Sequence, residues 1–365
     1  MNLFRSPLYA SDHLIDVLAL YGCRITELSE EYSPKRVSAS LGPPLAELTP
    51  WSVFSLRQWL VEAGPSVPIA LQSGLLSLGM NCLYESRNLD NNSLATQVSR
   101  LLFRPPGSWH RRRTPIQLEQ PLVLLTTHNN PNFYHWLTQP GLSALFLQDY
   151  YQLAHQSDVA LALSSRPGHV LPEYVYSLLD IFAHNQPIVE GLALSSATSC
   201  RFALQEHRSD VVVSPAQVRW LHRHCRTALN PDCKPWRRIL ISRQKSARRR
   251  CLNEDHLFAA LVPHGFERYC LEDLTVIEQL RLFSQSTLLV GAHGAGFSNL
   301  VACAPEATIV EFLPRPGPFS HYYSMADVLG FSHGHLLATR CLRDTDDFTI
   351  SPDQLLELLR DMGAL

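Results

Sequence analysis

The segment Leu288-Leu-Val-Gly291-Ala-His293-Gly294-Ala295-Gly296-Phe-Ser-Asn299 decides the fold: an apolar strand ends in a glycine-rich turn, and a helix begins. Glycines let the backbone approach an anion, and the start of a helix offers free N–H groups and a positive dipole end. A phosphate or diphosphate is the ligand that suits such a turn. The glycine order G-x-x-G-x-G differs from the dinucleotide-binding and P-loop orders. A tight turn whose glycines serve packing alone is the alternative.

Strands and helices alternate on both sides of this turn in the second half of the chain. The predicted strands are Ile239–Ser242, Glu267–Leu271, Thr287–Gly291 and Ala307–Leu313, and the predicted helices are Asn253–Leu261, Leu274–Phe283, Ala295 onward and Pro352–Met362. Such alternation predicts a parallel sheet with helices on both faces.

The same alternation begins earlier, from about residue 120. The predicted strands are Pro121–Thr127, Val159–Ser164, Pro187–Glu190 and Cys200–Leu204, and the predicted helices run from Asn130-Pro131 to about Tyr151, from Leu171 to Phe182 and from Ser214-Pro215 to about Leu229. Proline clusters break the first 110 residues into short segments without a clear pattern.

These patterns predict an α/β protein with two Rossmann-like domains that face a cleft. The turn-rich segment 230–236 suggests domains at 1–230, which would be the acceptor side and Rossmann-like over 120–230, and at 231–365, which would bind a nucleotide sugar. Ligands of such domains bind outside the carboxyl ends of the strands.

Composition narrows the class of protein. The 365 residues carry a net charge of −2, with 45% hydrophobic and 18% charged residues, so we expect neither disorder nor a nucleic acid partner. No apolar run approaches the ~18 residues that span a bilayer, and Met1–Tyr21 lacks a signal-peptide core. Nine cysteines without a CxxC pair indicate reduced thiols. We therefore expect a cytoplasmic protein, and the sequence leaves the oligomeric state open.

A basic cluster lies just after the first strand of the second domain. Seven of the 31 cations fall within fourteen residues: Arg237, Arg238, Arg243, Lys245, Arg248, Arg249 and Arg250. A solvated charged loop or an RNA-binding patch is the alternative, but no aromatic residues interleave to stack on bases. Because the strand delivers Arg243 to the carboxyl end of the sheet, arginines that clamp a diphosphate fit the position better.

Two further motifs carry ionisable side chains. Asn132-Phe-Tyr-His135-Trp136 falls on the first turns of a predicted helix, where an imidazole titrating near neutral pH could deprotonate a hydroxyl; a structural histidine packed beside Trp136 is the alternative. Glu311 ends an otherwise apolar strand, where it could hold a ribose or sugar hydroxyl pair or instead pair with an arginine.

Three segments in this order resemble glycosyltransferase family 61: Asn132–Trp136; Ile241-Ser-Arg243 with Arg249-Arg250-x-x-Asn253-Glu254; and Val290–Gly296 followed by Val310-Glu311-Phe312. The resemblance covers about residues 120–355. It implies a GT-B architecture and inverting transfer of a sugar from a nucleotide-diphosphate donor to a hydroxyl. Bacterial relatives are associated with capsule or lipopolysaccharide assembly, and we expect such a setting here, with a glycan or lipid-linked glycan as acceptor and a peripheral contact at the inner face of the membrane.

These candidate residues fall near predicted strand ends or helix starts that should face one cleft, which leads us to a hypothesis for their roles. His293 would form a hydrogen bond with a phosphate or with a donor hydroxyl. His135 would be the catalytic base, while Glu311 would bind the ribose and Asn253 would orient the arginines. The donor would be bound by Arg243, Arg249, Asn253, His293, Gly294, Ala295, Gly296, Asn299 and Glu311. We expect no cofactor and no metal, and a UDP-sugar as donor substrate.

The sequence departs from the family after the His-Trp pair. Family members commonly carry an acidic residue there, whereas Trp136 is followed by Leu-Thr-Gln139-Pro. A catalytically silent nucleotide-sugar-binding or scaffold subunit of a polysaccharide assembly system is therefore the alternative function. A nicotinamide-dependent oxidoreductase is a third, but the glycine order disfavours it.

Overall fold

The computed structural model describes most of the chain from residue 214 onward and shorter stretches before it. The described residues are 9–10, 12–20, 22–45, 54–64, 69–72, 75–78, 81–85, 116–118, 121–125, 132–138, 140–153, 159–163, 171–183, 186–190, 195–197, 199–206, 214–229, 234–317 and 319–365.

Within these residues the chain forms twenty β-strands, numbered in chain order. They are β1 Tyr9–Ala10, β2 Arg24–Tyr32, β3 Ala39–Ser40, β4 Phe54–Ala63, β5 Ile69–Gln72, β6 Leu75–Leu78, β7 Asn81–Glu85, β8 Ile116–Leu118, β9 Leu122–Leu125, β10 Ala160–Leu163, β11 Ile188–Glu190, β12 Ser195–Ala197, β13 Cys200–Glu206, β14 Arg237–Ser242, β15 Phe266–Cys270, β16 Ser286–Ala292, β17 Thr308–Leu313, β18 Ser332–Leu337, β19 Arg340–Cys341 and β20 Phe348–Thr349.

The same residues form nine α-helices and three 3-10 helices. The α-helices are α1 Asp12–Leu20, α2 Phe133–Thr138, α3 Pro140–Tyr150, α4 Glu173–Phe182, α5 Pro215–Leu229, α6 Glu254–Leu261, α7 Val276–Ser284, α8 His321–Leu329 and α9 Pro352–Asp361, and the 3-10 helices are Val262–His264, Leu271–Asp273 and Ala295–Ala302. None of the helices in the described ranges is both long and apolar enough to cross a membrane.

The chain divides into two compact units. Unit 1 comprises residues 1–29 and 56–209, and unit 2 comprises residues 30–55 and 210–365. Unit 2 thus includes α5 and a short stretch from near the N-terminus, both of which precede the boundary suggested at residue 230.

Unit 1 is built on a mixed sheet with the strand order β11-β10-β9-β13-β4-β2, to which β1 adds beside β13. The pairs from β11 to β13 are parallel, whereas β4 runs antiparallel to β13. A second sheet has the order β7-β6-β5-β12-β8. The antiparallel strand and the second sheet come largely from the first 110 residues, where the sequence showed no clear pattern.

Unit 2 is built on a fully parallel sheet with the order β15-β14-β16-β17-β18-β3. If β14 to β18 are numbered 1 to 5 along the chain, their order in the sheet is 2-1-3-4-5. This order is doubly wound, but it is not the strand order of a dinucleotide-binding Rossmann domain. Leu240, Val290 and Val310 fill its core from adjacent strands, together with Leu257 of α6 and Leu355 of α9. The α/β prediction is confirmed.

The predicted elements of unit 2 agree with the structure to within about two residues. One difference of type occurs: the helix predicted from Ala295 is a 3-10 helix, Ala295–Ala302. Two elements between the strand ending at Leu313 and the last helix, α8 and β18, have no counterpart among the predicted elements.

The structure describes two helices, α2 and α3, within the segment predicted as one helix from Asn130-Pro131 to Tyr151. Asn130, Pro131 and Gln139 lie outside the described residues, and the N-terminal cap that is described comes from Asn132, whose Oδ1 accepts a hydrogen bond from Tyr134 N at 2.9 Å.

A buried carboxylate attaches the early segment to unit 2. Asp327, near the end of α8, accepts hydrogen bonds from Tyr32 Oη at 2.8 Å, from Lys35 N at 3.0 Å and from Arg36 N at 2.8 Å. The chain then continues into β3, which pairs with β18 in parallel register, Ala39 opposite Gly334. Asp327 therefore positions residues 35–40 along the edge of the sheet.

Replacing Asp327 tests this attachment. Because Asp327→Ala leaves three donors without their acceptor, we expect it to lower the free energy of unfolding of unit 2 by about 2–4 kcal/mol. Urea denaturation measures the change, and Asp361→Ala, on the exposed end of α9, is the control with an effect below about 0.5 kcal/mol. Equal effects of the two substitutions would contradict the role of Asp327.

Candidate functional site

The candidate site lies in unit 2, where the strand order reverses. The first and third strands of the doubly wound order, β14 and β16, are neighbours, with Ile241 opposite Gly291. In such sheets ligands bind outside the carboxyl ends of the two strands at this switch point. The chain continues there into Arg243 on one side and into His293 and Gly294 on the other.

The glycine-rich turn makes room for an arginine. A Cβ atom built on Gly294 would lie 2.0 Å from Arg243 Nη1 and 2.8 Å from its Cζ, so the guanidinium rests directly on the glycine backbone. Arg243 Nη2 donates a hydrogen bond to Arg248 O at 3.1 Å, while the buried Nε has no hydrogen-bond partner. The structure thus brings together two predicted site residues.

The basic cluster separates into two groups. Four of its members pair with a carboxylate: Arg237 with Glu267, Lys245 with Asp273, Arg248 with Asp346 at 3.3 Å and Arg250 with Asp347 at 2.7 Å. Arg238, near the start of β14, donates to His264 O at 3.1 Å. In the described part of the chain, neither Arg243 nor Arg249 forms an ion pair with a carboxylate. Those two are the arginines predicted to bind the donor.

Arg249 has further properties of a functional residue. Its φ is +59°, in the left-handed region that costs a non-glycine residue energy and is enriched at binding sites. Burial and the neighbouring charge of Arg249 both lower the pKa of Arg243. Two cations close enough to repel one another, neither of them in an ion pair with a carboxylate of the described residues, form a site suited to a bound anion.

The helix that follows the turn is held in place by Asn299. Its Nδ2 donates to Gly296 O and to Gln279 Oε1, each at 3.0 Å, and the residue is fully buried. Gly296 admits Leu271, since a Cβ there would lie 2.6 Å from Leu271 Cδ1. The N–H groups at the start of a helix lack intrahelical acceptors, so Gly294, Ala295 and Gly296 offer donors beside Arg243. Asn299 has the contacts of a residue that fixes the turn.

His293 and Glu311 form a buried pair at the ends of β16 and β17. Glu311 is fully buried and His293 is 5% exposed, and the carboxylate Oε1 lies within hydrogen-bond distance of His293 Nδ1. Burial, together with Arg249 and Arg243, holds the pKa of His293 well below its usual value, and burial raises the pKa of Glu311. The rings of Phe319 and Tyr322 pack on the imidazole.

The surroundings of Glu311 and Asn253 differ from the roles predicted for them. Both oxygens of Glu311 face histidines, and none is exposed to a ligand, so the predicted ribose contact finds no support here. Asn253 Nδ2 donates to Ile350 O at 2.7 Å, and its Oδ1 accepts from Ile350 N at 3.1 Å. Asn253 is thus engaged with backbone instead of orienting an arginine, and donor binding by it stays a prediction.

His135 belongs to unit 1, whereas the predicted donor-binding residues belong to unit 2. It lies on α2, half-buried, with its ring edge-to-face on Tyr134, and Trp136 beside it is buried. Because Gln139 lies outside the described residues, the departure from the family at that position stays a sequence observation.

Three residues without a predicted role complete the surroundings of the pair. His333 and His335 of β18 lie beside Glu311, and Ser38 bonds to both. A signal for the histidines was present: they are two residues apart, which places them on one face of a strand. Ser38, which is 295 residues away from His333, had no such signal.

The comparisons with known proteins agree with this geometry. The family model described as Glycosyltransferase 61 matches residues 133–310, which span α2 of unit 1 through Val310 of β17. This confirms the resemblance drawn from the motifs, and for the matched segment it supports a glycosyltransferase 61 assignment and hence a transferase. None of the curated proteins matches the chain.

Two glycine substitutions separate the roles of the turn. A Cβ on Gly291 would meet Ile241 Cβ at 2.9 Å and its backbone O at 3.0 Å, neither of which can move away. A Cβ on Gly294 meets the far end of a flexible side chain. We therefore expect Gly291→Ala to lower the free energy of unfolding by about 1–3 kcal/mol, and Gly294→Ala to leave it within about 1 kcal/mol while displacing Arg243.

Urea denaturation of the two variants measures this contrast, and a crystal structure of Gly294→Ala would show where Arg243 moves. Equal destabilisation by both substitutions would contradict the contact between Arg243 and Gly294.

Proposed function

We propose that this protein is an inverting glycosyltransferase that moves a sugar from a nucleotide-diphosphate sugar to a hydroxyl of a glycan acceptor. The observation that carries the proposal is the pair Arg243 and Arg249: they have no carboxylate partner, whereas four of the other five cations of the basic cluster have one. Both belong to the switch-point end of the sheet, where a doubly wound domain binds its ligand. The family match supports the reaction class.

A diphosphate leaving group explains why two guanidiniums are needed. Its charge grows as the bond to the sugar breaks, and charge-assisted, forked hydrogen bonds from arginine stabilise such oxygens. The first N–H groups of Ala295–Ala302 would bind the same group. With this positive charge supplied by the protein, we propose a metal-independent reaction without a cofactor and, from the family resemblance, a UDP-sugar as donor.

In the proposed reaction the acceptor oxygen attacks the anomeric carbon. The new C–O bond forms as the bond to the diphosphate breaks, the electron pair leaves with the diphosphate, and configuration inverts. The acceptor proton passes to a general base, for which His135 is the proposed residue. The GT-B architecture implied by the family is part of this proposal.

The proposed setting is bacterial synthesis of capsule, lipopolysaccharide or another surface glycan in the cytoplasm. A lipid-linked acceptor would require a peripheral contact with the inner face of the membrane. A catalytically silent subunit that binds nucleotide sugar without turning it over is the alternative, because glutamine stands at position 139.

Donor binding is tested on two arginine variants and a matched cation. We expect Arg243→Gln and Arg249→Gln each to weaken binding of a nucleotide sugar by about 10- to 100-fold, as each removes charged hydrogen bonds worth about 1.5–3 kcal/mol. Lys245→Gln, which removes an exposed cation of the same segment, should change binding less than about threefold.

A thermal-shift screen of UDP-, GDP-, CMP- and dTDP-sugars selects the donor, and calorimetry then measures the three variants. Equal losses in all three would indicate nonspecific attraction to a basic segment. Tight binding with no nucleotide released in the presence of any glycan acceptor would favour the silent subunit.

The base is tested separately. If His135 takes the acceptor proton, His135→Ala should lower the rate of acceptor-dependent nucleotide release about 100-fold or more and leave the donor-induced thermal shift unchanged. His256→Ala, an exposed histidine of α6, is the control. Full turnover in His135→Ala would remove that residue from the base role.

A further inference from the structure

Five buried side chains form a continuous polar chain behind the glycine-rich turn, here called the histidine chain: His293, Glu311, His333, Ser38 and His335. Glu311 Oε1 contacts His293 Nδ1, and its Oε2 lies 3.4 Å from His333 Nε2. Ser38 Oγ lies 2.8 Å from the Nδ1 atoms of both His333 and His335. Taken as whole residues, all five are at most 6% exposed.

The position of each proton follows from the far end of the chain. His335 Nε2 lies 3.1 Å from Pro43 O, which only accepts, so Nε2 carries the proton. A neutral His335 then has a lone pair on Nδ1 and accepts the hydroxyl proton of Ser38. Because the hydroxyl has one proton, Ser38 Oγ must accept from His333, which therefore carries its proton on Nδ1.

This leaves the Nε2 lone pair of His333 facing Glu311 Oε2. The two atoms are 3.4 Å apart, and neither forms a hydrogen bond in the structure. A carboxylate there would set two lone pairs against each other inside the protein, a repulsion that a proton on one of the two atoms relieves. With Glu311 protonated on Oε2 the whole histidine chain is neutral, which avoids a fully buried ion pair. Glu311 Oε1 then accepts the Nδ1 proton of His293.

The remaining nitrogen, His293 Nε2, is thus an unprotonated acceptor. It forms no hydrogen bond with the described part of the chain, and the His293 side chain keeps 7% exposure. An acceptor nitrogen suits a hydroxyl, which can donate to it; a phosphate oxygen, which cannot donate, does not suit it.

We propose that Ser38, His333 and His335 are positioning residues: through a neutral, protonated Glu311 they hold the proton of His293 on Nδ1, so that Nε2 accepts a hydrogen bond from a hydroxyl of the bound substrate. The identity of that substrate rests on the function proposed above, while the placement of the protons does not. His293 thereby binds a hydroxyl and is not a ligand of the diphosphate.

The electrostatic environment agrees with a neutral chain. Burial lowers the pKa of His333 and of His335 and raises that of Glu311, so that it favours the uncharged form of each. The charged and titratable groups facing Glu311 are His293, His333 and Arg249.

The charges of Arg249 and Arg243 disfavour a positive charge on His293. The rings of His321 and Tyr322 pack against its imidazole. Burial and the two arginines thus disfavour a protonated imidazole.

Nitrogen NMR tests the proton positions without any substrate. Long-range ¹H–¹⁵N spectra distinguish a protonated ring nitrogen from an unprotonated one, and signals are assigned by their loss in His293→Gln, His333→Gln and His335→Gln. We expect N–H on Nδ1 of His293 and His333 and on Nε2 of His335. A proton on His293 Nε2 overturns the inference even if nucleotide sugars bind, whereas the expected pattern without nucleotide binding refutes only the proposed function.

Glu311→Gln provides a second test, because the amide keeps the hydrogen bonds of a protonated carboxyl: its oxygen accepts from His293 and its nitrogen donates to His333. A Glu311 that stays protonated in the folded state but ionises when unfolded makes the protein less stable as pH rises above about 4.3. Relative to Glu311→Gln, the wild-type unfolding equilibrium constant should therefore rise about tenfold per pH unit until Glu311 ionises in the folded protein.

Denaturation curves of both proteins between pH 5 and 7 measure this difference. Curves that stay parallel across that range mean an ionised Glu311 and overturn the inference. Glu311→Gln should also bind nucleotide sugar about tenfold more tightly than Glu311→Ala, which removes both hydrogen bonds.

Ser38→Ala tests the positioning role against a matched serine. Ser286 is also buried and lies at the opposite end of β16 from the turn, where its hydroxyl donates to Leu282 O. Ser286→Ala therefore reports the cost of losing a buried hydroxyl alone. Only Ser38→Ala should give mixed tautomer signals for His333 and His293, and Ser38→Thr, which keeps the hydroxyl, should restore them. Unchanged signals in Ser38→Ala contradict the role.

The substrate group that His293 binds is tested with UDP, UDP-glucose and inorganic pyrophosphate. If the thermal-shift screen selects a guanine or thymine nucleotide instead, GDP or dTDP and its nucleotide sugar replace the two uridine compounds. His293→Phe should bind pyrophosphate as the wild type does, within about threefold. If His293→Phe loses UDP binding, the hydroxyl belongs to the ribose. If it loses binding of UDP-glucose alone, the hydroxyl belongs to the donor sugar. If it loses turnover alone, the hydroxyl belongs to the acceptor. Equal losses for pyrophosphate and UDP, or no loss in any assay, would overturn the inference.

Discussion

The candidate site of unit 2 is organised around two positive charges that have no carboxylate partner in the part of the chain that the structure describes. Arg243 and Arg249 lie where β14 and β16 end, and they repel one another at the cost of a lowered pKa for Arg243. A folded protein bears such a cost where a ligand of opposite charge offsets it. The local features follow from this constraint: Gly294 has no Cβ because Arg243 rests on it, and Arg249 takes a left-handed backbone conformation.

The histidine chain complements this positive charge. A protonated His293 beside two arginines would add a third cation to a buried site, and burial together with those arginines prevents it. A neutral imidazole has a defined function only if its tautomer is fixed, and Glu311, His333, Ser38 and His335 supply the hydrogen bonds that fix it. The site therefore offers charge for an anion and a neutral acceptor for a hydroxyl, and a nucleotide-diphosphate sugar carries both groups.

The sequence predicted the parts of this arrangement that depend on local pattern. Alternating apolar segments located β14 to β17 and α6 and α7, and the end of a strand located Arg243. The pattern did not reveal which cations are compensated, because Asp346 and Asp347 lie almost one hundred residues beyond the arginines they bind. Nor did it show that Glu311 is enclosed: a carboxylate at the end of an apolar strand suggests a ligand contact until both of its neighbours are known to be histidines.

Long-range contacts also explain why the functional unit extends beyond the segment that matches the family. Residues 133–310 include Arg243, Arg249, His293 and the glycine-rich turn, yet Glu311 follows one residue later and His333 lies on the next strand of the sheet. Ser38 reaches the chain only because Asp327 holds residues 35 and 36 and β3 then pairs with β18. A stretch near the N-terminus, which showed no motif, thus completes the hydrogen bonds behind the turn. The matched segment contains the groups that would bind the anion, and the flanking segments contain those that set the protonation of His293.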